Sequence, residues 1–415
     1  MTALTPPMGW NSWDCYGAEL DEATFRRNAE YMAEHLKPFG WEYMVIDIQW
    51  SGAHSAGHGY EAFPELNMDG FGRLIPAENR FPSSAGGKGF APLAETIHGM
   101  GLKFGIHIMR GMPRAAAHRH LPIEGSPFFC HDAANPHSVC AWNPDMYGLR
   151  GGLEAAQAYY DSIFRLYASW GVDFIKCDDI AREYPHCREE IEMISRACRA
   201  SGRDMVLSLS PGPAPVEQAE HLKTWANMWR ITDDFWDDWA LLKGMFERAE
   251  KWCIHAAPGH WPDADMLPVG ALRQCDDPSS WTRFTPAEQR TMMTLWCMMR
   301  SPLMIGAEMV KNDAFTLGLL TNTDVLAILR ESWCAHPLRT LDEESVWIAP
   351  RQDGTGFYLA LFNLSDTPRR ISVSAADWER CVSTARELWS GASEPVGDGL
   401  SREIPPHDAE VFLLS

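Results

Sequence analysis

"VDFIKCDD", residues 172–179, runs from an apolar strand straight into charge. Val172, Phe174 and Ile175 suit the interior of a sheet, whereas ionised carboxylates are costly to bury without partners. A chain that sets Lys176, Asp178 and Asp179 at the end of such a strand has a polar site for the strand to open into. What that site is depends on the sheet to which the strand belongs.

Seven more short apolar runs share its character: "MGWNSW" (8–13), "YMVIDIQW" (43–50), "LKFGIHIM" (102–109), "DMVLSLS" (204–210), "MWRITDD" (228–234), a piece of "HWPDADML" (260–267) and "PLMIGAE" (302–308). Helical periodicity lies between them. In "DEATFRRNAEYMAEHLKPFG" (21–40) an acidic first turn opens the pattern, and Pro38 and Gly40 close it. Strand-then-helix units imply a parallel sheet, and eight of them favour closure into a (β/α)8 barrel over an open doubly wound sheet. No Gly-rich dinucleotide fingerprint follows the first strand, which removes the main competitor. After about residue 335 the texture changes to "SVWIAPR", "GFYLALFNL", "RRISVSA" and "AEVFLLS", joined by turn residues without long helices. The expected organisation is an α/β chain: a (β/α)8 TIM barrel over residues 1–332, followed by a small antiparallel β-sandwich over 333–415. The segment 51–90, rich in Gly, Pro, Ser and His, is too long for an ordinary connector and reads as part of a rim.

Composition narrows the function. The formal net charge of −20 argues against a phosphate-binding surface, because nucleic-acid affinity comes largely from Lys and Arg. No run approaches the roughly 20 apolar residues of a membrane span. "MTALTPPMGWNSW" lacks the basic and apolar segments of a secretory signal. Eleven cysteines, an odd count without regular spacing, suit a reducing compartment, and a cytoplasmic location is expected. Cys130, His131, His137 and Cys140 invite a zinc reading that no CxxC or HxxxH spacing supports. No nucleic acid, membrane, metal or organic cofactor is expected as a partner, and a homo-oligomer is left open.

In a barrel of this kind, residues at the C-terminal strand ends share one mouth. Those ends supply Asp47, His107, Lys176 with Asp178, Ser210, Arg230 with Asp234, and Asp263 with Asp265. Carboxylates around basic residues can serve metal-assisted hydrolysis, proton abstraction or glycoside hydrolysis. A single His among the strand ends weighs against a transition-metal centre. Of 18 tryptophans, Trp10, Trp13, Trp50, Trp229, Trp236 and Trp261 lie near strand ends, where indole faces could stack on a sugar ring while charged groups bind its hydroxyls.

"PPMGWNSWDCYG", "YMVIDIQW", "FIKCDD", "WRITDDFWDDW", "GHWPDADMLPVG" and "MMRSPLMIGAEM" occur in order along the chain. Together they resemble glycoside hydrolase family 27, the α-galactosidase and α-N-acetylgalactosaminidase family of clan D. The resemblance implies a retaining exo-α-glycosidase acting through a covalent glycosyl-aspartate. Asp178 would be the nucleophile, two residues after Lys176, and Asp234 the acid/base, four residues after Arg230. Such a pair stands roughly 5–5.5 Å apart. Lys176 and Arg230 would hold Asp178 ionised, while Asp233, Asp237 and Asp238 would help Asp234 keep its proton. Trp13 would wall the sugar pocket, Asp47 would bind hydroxyls, and Asp265 would sit towards the 2-position.

This chain departs from the family pattern in several places. The second of two consecutive strand-two aspartates is Ile48, a strand-three Tyr is His107, and a disulfide-forming Cys is Ile180. Where α-galactosidases place a Glu after strand five and N-acetylgalactosaminidases a Ser, this chain has Ser210. The expected substrate is an oligosaccharide or glycoconjugate ending in a galactose-configured sugar, with α-galactoside ranked first. α-N-Acetylgalactosaminide and β-L-arabinopyranoside are the alternatives. A carbohydrate-binding protein on the same scaffold and a metal-dependent barrel hydrolase are the readings from other classes.

Overall fold

The computed structural model describes residues 2–184, 186–378 and 381–415. All eight expected barrel strands form: β1 (Met8–Asn11), β2 (Tyr43–Ile46), β3 (Lys103–Met109), β4 (Phe174–Asp178), β5 (Val206–Leu209), β6 (Met228–Arg230), β7 (Trp261–Asp263) and β8 (Leu303–Ile305). They pair in parallel in the order β7-β6-β5-β4-β3-β2-β1-β8. A parallel bridge from Leu267, just past β7, to Ile305 of β8 closes the ring. Helices follow the strands in turn: α1 (Glu22–Tyr31), α2 (Ala91–Gly99), α3 (Glu154–Trp170), α4 (Arg188–Ala200), α5 (Ala219–Trp225), α6 (Trp239–Trp252), α7 (Pro286–Met299), then α8 (Ala314–Thr321) with α9 (Thr323–Glu331).

Local chemistry sets these elements. The Asp21 side chain accepts the Thr24 N–H at 2.8 Å and starts α1, and Gly40 ends that segment at φ 104°, where a Cβ would be strained. At α7, Thr285 and Glu288 exchange hydrogen bonds across the first turn, a capping box, with Pro286 opening the helix. Most of α7 is buried, and its second half, Met292–Met299, is apolar on nearly every side. It lies between the barrel and the C-terminal sheet, packing on α6, β11 (Phe357–Asn363) and β16 (Ala409–Leu414).

The C-terminal part holds β9 (His336–Leu341), β10 (Glu344–Pro350), β11, β12 (Arg369–Ser374), β13 (Thr384–Glu387), β14 (Ser393–Pro395), β15 (Gly399–Ile404) and β16. A six-stranded antiparallel sheet runs β9-β10-β11-β16-β13-β14, and β12 pairs with β15 as a second layer. An ion pair from Arg290 to Asp408 and a hydrogen bond between Glu288 and His407, whose ring stacks on Trp239 at 3.9 Å, join this region to the barrel. A three-stranded antiparallel insertion, Met112–Pro113, Ala134–Val139 and Met146–Leu149, lies between β3 and α3 and has no counterpart in the sequence expectation. No helix among the described residues is long and apolar enough to cross a membrane.

Strand register aligns the site. Ile46 pairs with Ile106, His107 with Lys176, and Lys176 with Ser208. Asp47, one residue past Ile46, therefore stands at the level of His107 and Lys176, with Asp178 one layer nearer the mouth.

Candidate active site

β4 delivers Lys176 and Asp178 to the C-terminal mouth, and their neighbours fix their charge. Asp178 Oδ2 accepts a hydrogen bond from His107 Nε2 at 3.0 Å, and Oδ1 accepts the Asp179 N–H at 3.0 Å. Burial alone would raise this carboxyl's pKa. The His107 hydrogen bond and charge, Lys176 and the Asp179 amide outweigh burial and hold it well below the usual carboxylate range. Lys176 Nζ donates to Asp47 Oδ2 at 2.8 Å, and Asn11 Nδ2 donates to the same oxygen at 2.8 Å. Burial disfavours the ammonium, but Asp47 and Asp178 overcome it and raise the Lys176 pKa. Asp47 moves the other way, burial being overcome by Lys176 and His107.

Across the mouth, buried Arg230 forks between two carboxylates. Nη1 meets Asp265 Oδ1 at 2.7 Å, and Nη2 meets Asp234 Oδ1 at 3.2 Å. The other Asp265 oxygen accepts the Phe235 N–H at 2.7 Å, and Asp263 Oδ1 accepts the Asp265 N–H at 3.0 Å. Burial pushes both carboxyls upward against the pull of Arg230, and the charges of Asp234 and Asp263 add to the rise at Asp265. The Asp234 side chain is 48% exposed and that of Asp178 only 13%, so one carboxylate of this pair is enclosed and the other meets solvent. Ser210 lies beside Lys176, Arg230, Asp263 and Asp265. Its amide is tied to the Cys177 carbonyl at 2.8 Å, while its buried Oγ has no partner among the described residues.

Two expectations need correction. Trp10, Trp50 and Trp229 are core residues, Trp261 is fully buried with its indole N–H on the Ala3 carbonyl, and only Trp13 and Trp236 of the six reach the mouth. A strand-end indole that faces the helix layer reads the same in sequence as one that faces the mouth. The acidic residues around Asp234 also have their own partners: Asp233 pairs with Arg182 at 2.5 Å, Asp237 with Arg273, and Asp238 caps α6 on the Ala240 N–H. They are anchors of the loop rather than a cluster converging on Asp234.

The structure adds residues that sequence reading passed over. Trp13 stacks on Tyr60 at 5.5 Å with rings 8° from parallel, and Tyr60 meets Trp142 at 4.9 Å. Ile48, Met109 and Met146 pack into the same wall. Tyr60 sits in the rim segment 51–90, and that was its only signal. Asp14 is buried with Oδ2 unpartnered, and burial together with the nearby Asp265 raises its pKa well above the ordinary value. The Cys130, His131, His137 and Cys140 reading fails: Cys130 Sγ lies on the Phe71 carbonyl, His131 pairs with His120, and Cys140 Sγ accepts from the Asn143 N–H. All eleven cysteines are free. A second groove, among Thr2, Tyr43, Lys103, Asp173 and Arg330, opens at the opposite, N-terminal end of the barrel, where it shares none of these carboxylates.

The family model described as "Alpha galactosidase A" matches residues 146–331. The α-galactosidase of Coffea arabica is 28% identical over 99% of this chain and 94% of its own length. A family 27 β-L-arabinopyranosidase from Geobacillus stearothermophilus is 50% identical, with a TM-score of 0.96 over 100% of this chain and 97% of that one. The chain belongs to glycoside hydrolase family 27. A variant of the Geobacillus enzyme is known in complex with arabinose.

In this α-galactosidase-like hydrolase the mouth is braced from behind by a buried ionic network. Arg110 meets Asp179 Oδ2 at 2.9 Å and Glu190 Oε1 at 3.1 Å, and its Nε donates to the Asp179 carbonyl at 2.6 Å. The Tyr160 hydroxyl donates to the other Glu190 oxygen at 2.6 Å. All of these side chains are buried, and Asp179 adjoins Asp178. Removing one partner of such a network strands the rest in low dielectric at about 3–5 kcal/mol. Arg110→Met is therefore expected to lower the stability of the hydrolase by that amount in urea denaturation. A loss under about 1 kcal/mol would mean that water reaches the network.

Proposed function

We propose that the protein is a retaining exo-glycosidase that removes a terminal galactose-configured pyranose, with Asp178 as nucleophile and Asp234 as acid/base. The observation that carries this reading is the asymmetry of the two carboxylates: Asp178 is enclosed and held ionised by His107 and Lys176, and Asp234 is open to solvent on Arg230. In the first step Asp178 attacks the anomeric carbon as the glycosidic bond breaks, and Asp234 gives its proton to the departing oxygen. In the second, Asp234 takes a proton from water, which displaces Asp178 from the ester. Lys176, Asp47, His107, Arg230, Asp263 and Asp265 would bind and orient the sugar, with Trp13 as its wall.

Ile48 reverses the order of sugars that the sequence alone suggests. β-L-Arabinopyranose has the ring configuration of α-D-galactopyranose without the exocyclic hydroxymethyl group. Ile48 packs with Trp13 and Met109 where the family commonly has a second aspartate. An apolar wall gives that hydroxymethyl group no hydrogen-bond partner, which disfavours its burial. A pentopyranoside is the better occupant, in line with the activity of the 50%-identical relative. The test is the ratio of kcat/KM for p-nitrophenyl β-L-arabinopyranoside to that for p-nitrophenyl α-D-galactopyranoside. It should exceed one in the native enzyme and fall about tenfold or more in Ile48→Asp. An unchanged ratio would remove Ile48 from the position facing C5.

Ser210 tests the other side of the ring. Its buried hydroxyl has no partner among the described residues, and so short a side chain would crowd a C2 substituent less than a Glu would. Ser210→Glu is expected to depress activity on 2-acetamido glycosides more than on the 2-hydroxy parents, because the longer carboxylate side chain would crowd the bulkier substituent more. If both substrate series fall by the same factor, Ser210 does not line the 2-position.

A further inference from the structure

Behind the Trp13 wall, three different ligand types meet from two segments. His58 Nδ1 lies 2.6 Å from Asp276 Oδ2 and 3.6 Å from Cys275 Sγ, and the donor atoms of His58, Cys275 and Asp276 all lie within 4.8 Å of one another. The other ring nitrogen, Nε2, is 2.9 Å from the Trp13 carbonyl. The Trp13 carbonyl and the Asp276 carboxylate both only accept, so each ring nitrogen faces an acceptor, and an ion at Nδ1 would take the place of the hydrogen shared with Asp276. With that hydrogen displaced, one nitrogen stays fixed by a backbone carbonyl and the other is turned to the thiol and the carboxylate, the orientation found in metal-binding histidines. Backbone packing sets the meeting point. Gly17 (φ 51°) and Gly57 (φ 62°) approach so closely that a Cβ on Gly17 would lie 2.2 Å from the Gly57 carbonyl oxygen. Ala18 N–H donates to that oxygen at 2.8 Å, and Cys275 N–H donates to the Cys15 carbonyl at 3.2 Å. The residues flanking the trio are thus held to the same stretch, Cys15–Ala18, from both sides.

We propose that His58, Cys275 and Asp276 form a binding site for a zinc-class divalent ion, which clamps the rim segment 51–60 to the loop after β7 behind Trp13. One nitrogen, one sulfur and one oxygen ligand suit a borderline-soft ion, with solvent in a fourth position, since Asp276 is half exposed. Binding forms bonds to His58 Nδ1, to the Cys275 sulfur and to a carboxylate oxygen, and both the thiol proton and the proton held between Nδ1 and Asp276 leave to solvent. His58 also sits edge-on between Trp13 at 5.3 Å and Trp236 at 5.7 Å, so a metal here would stiffen the wall without entering the sugar pocket.

The test uses the full chain, stripped with a chelator and titrated with Co²⁺ and then Zn²⁺. One Co²⁺ per chain should give a thiolate-to-cobalt charge-transfer band, and Zn²⁺ should displace it and raise Tm. Cys275→Ser should lose the band and the Zn²⁺-dependent rise in Tm while keeping native glycosidase activity, and His58→Gln should lose both signals. Cys334→Ser, which removes an exposed thiol elsewhere, should change nothing. A band that survives Cys275→Ser, or a Tm indifferent to Zn²⁺ in the native chain, would overturn the site and leave His58 and Asp276 as an ion pair only. Neither readout depends on turnover, so this result stands apart from the test of the glycosidase reading.

Discussion

Asp178→Asn is expected to remove turnover, by about 10³-fold or more in kcat, while the chain remains folded. The amide nearly matches the carboxylate in shape, and its oxygen can still accept from His107 Nε2 or from the Asp179 N–H, which lie at 3.0 Å from the native carboxylate. It cannot form the glycosyl ester. Any binding that survives in the variant separates the chemical role of Asp178 from its packing role. A 2-deoxy-2-fluoro glycoside with a good leaving group should label Asp178 in the native enzyme, and mass spectrometry of the modified peptide would place the ester. If the variant keeps more than about a tenth of native activity per folded molecule, or the label falls elsewhere, another residue is the nucleophile. The lowered pKa has a second consequence. A carboxylate ionised more readily in the folded state than in the unfolded one stabilises the fold above its unfolded pKa, and that contribution is lost as pH falls through the folded value. Acid sensitivity of the fold at very low pH should therefore be smaller in Asp178→Asn than in the native enzyme.

How far the sequence carries the reader depends on whether the relevant partners are local. The barrel was legible because each strand signals itself in a few adjacent residues, even β7, where three residues, Trp261–Asp263, suffice beside a tightly constrained Asp265. The strands of the C-terminal sheet that read clearly are the apolar β10, β11 and β16. β14 has only Ser393, Glu394 and Pro395, and gave no apolar signal. The insertion strand Ala134–Val139 was invisible for the same reason, with Asn, Pro, His and Ser at its centre. In the site, Asp47 with Lys176 and Arg230 with Asp234 and Asp265 are brought together by barrel register, and a list of strand ends is enough to find them. The partners of Asp233 and Asp237 are Arg182 and Arg273, which lie 51 and 36 residues away in the chain. No local pattern reveals such pairs, so acidic neighbours in "TDDFWDDW" resemble a charge cluster when Asp233, Asp234 and Asp237 form separate ion pairs and Asp238 caps a helix. Whether an indole faces core or mouth is equally non-local.

Asp234→Ala should separate substrates by their leaving groups. The Asp234 carboxylate touches Arg230 at 3.2 Å and is half open to solvent, where a departing aglycone would stand. A dinitrophenolate leaves without much help from an acid, so the first step on a dinitrophenyl glycoside should slow by less than about tenfold, whereas a sugar or alkyl aglycone should lose about 10²- to 10⁴-fold. The second step also suffers, because Asp234 would take the proton of the attacking water, and the glycosyl-Asp178 ester should accumulate. Azide needs no general base. It should attack that ester, restore turnover on the activated substrate and yield a glycosyl azide whose anomeric configuration is that of the substrate. Asp233→Ala supplies the contrast: Asp233 pairs with Arg182 at 2.5 Å and accepts the Asp234 N–H on Oδ1 at 2.9 Å, so its loss should loosen the loop and lower activity on both substrates without any response to azide. If Asp234→Ala behaves in that second way and Asp233→Ala in the first, the acid/base is Asp233, and the Arg230 fork serves only to hold the loop and Asp265 in place.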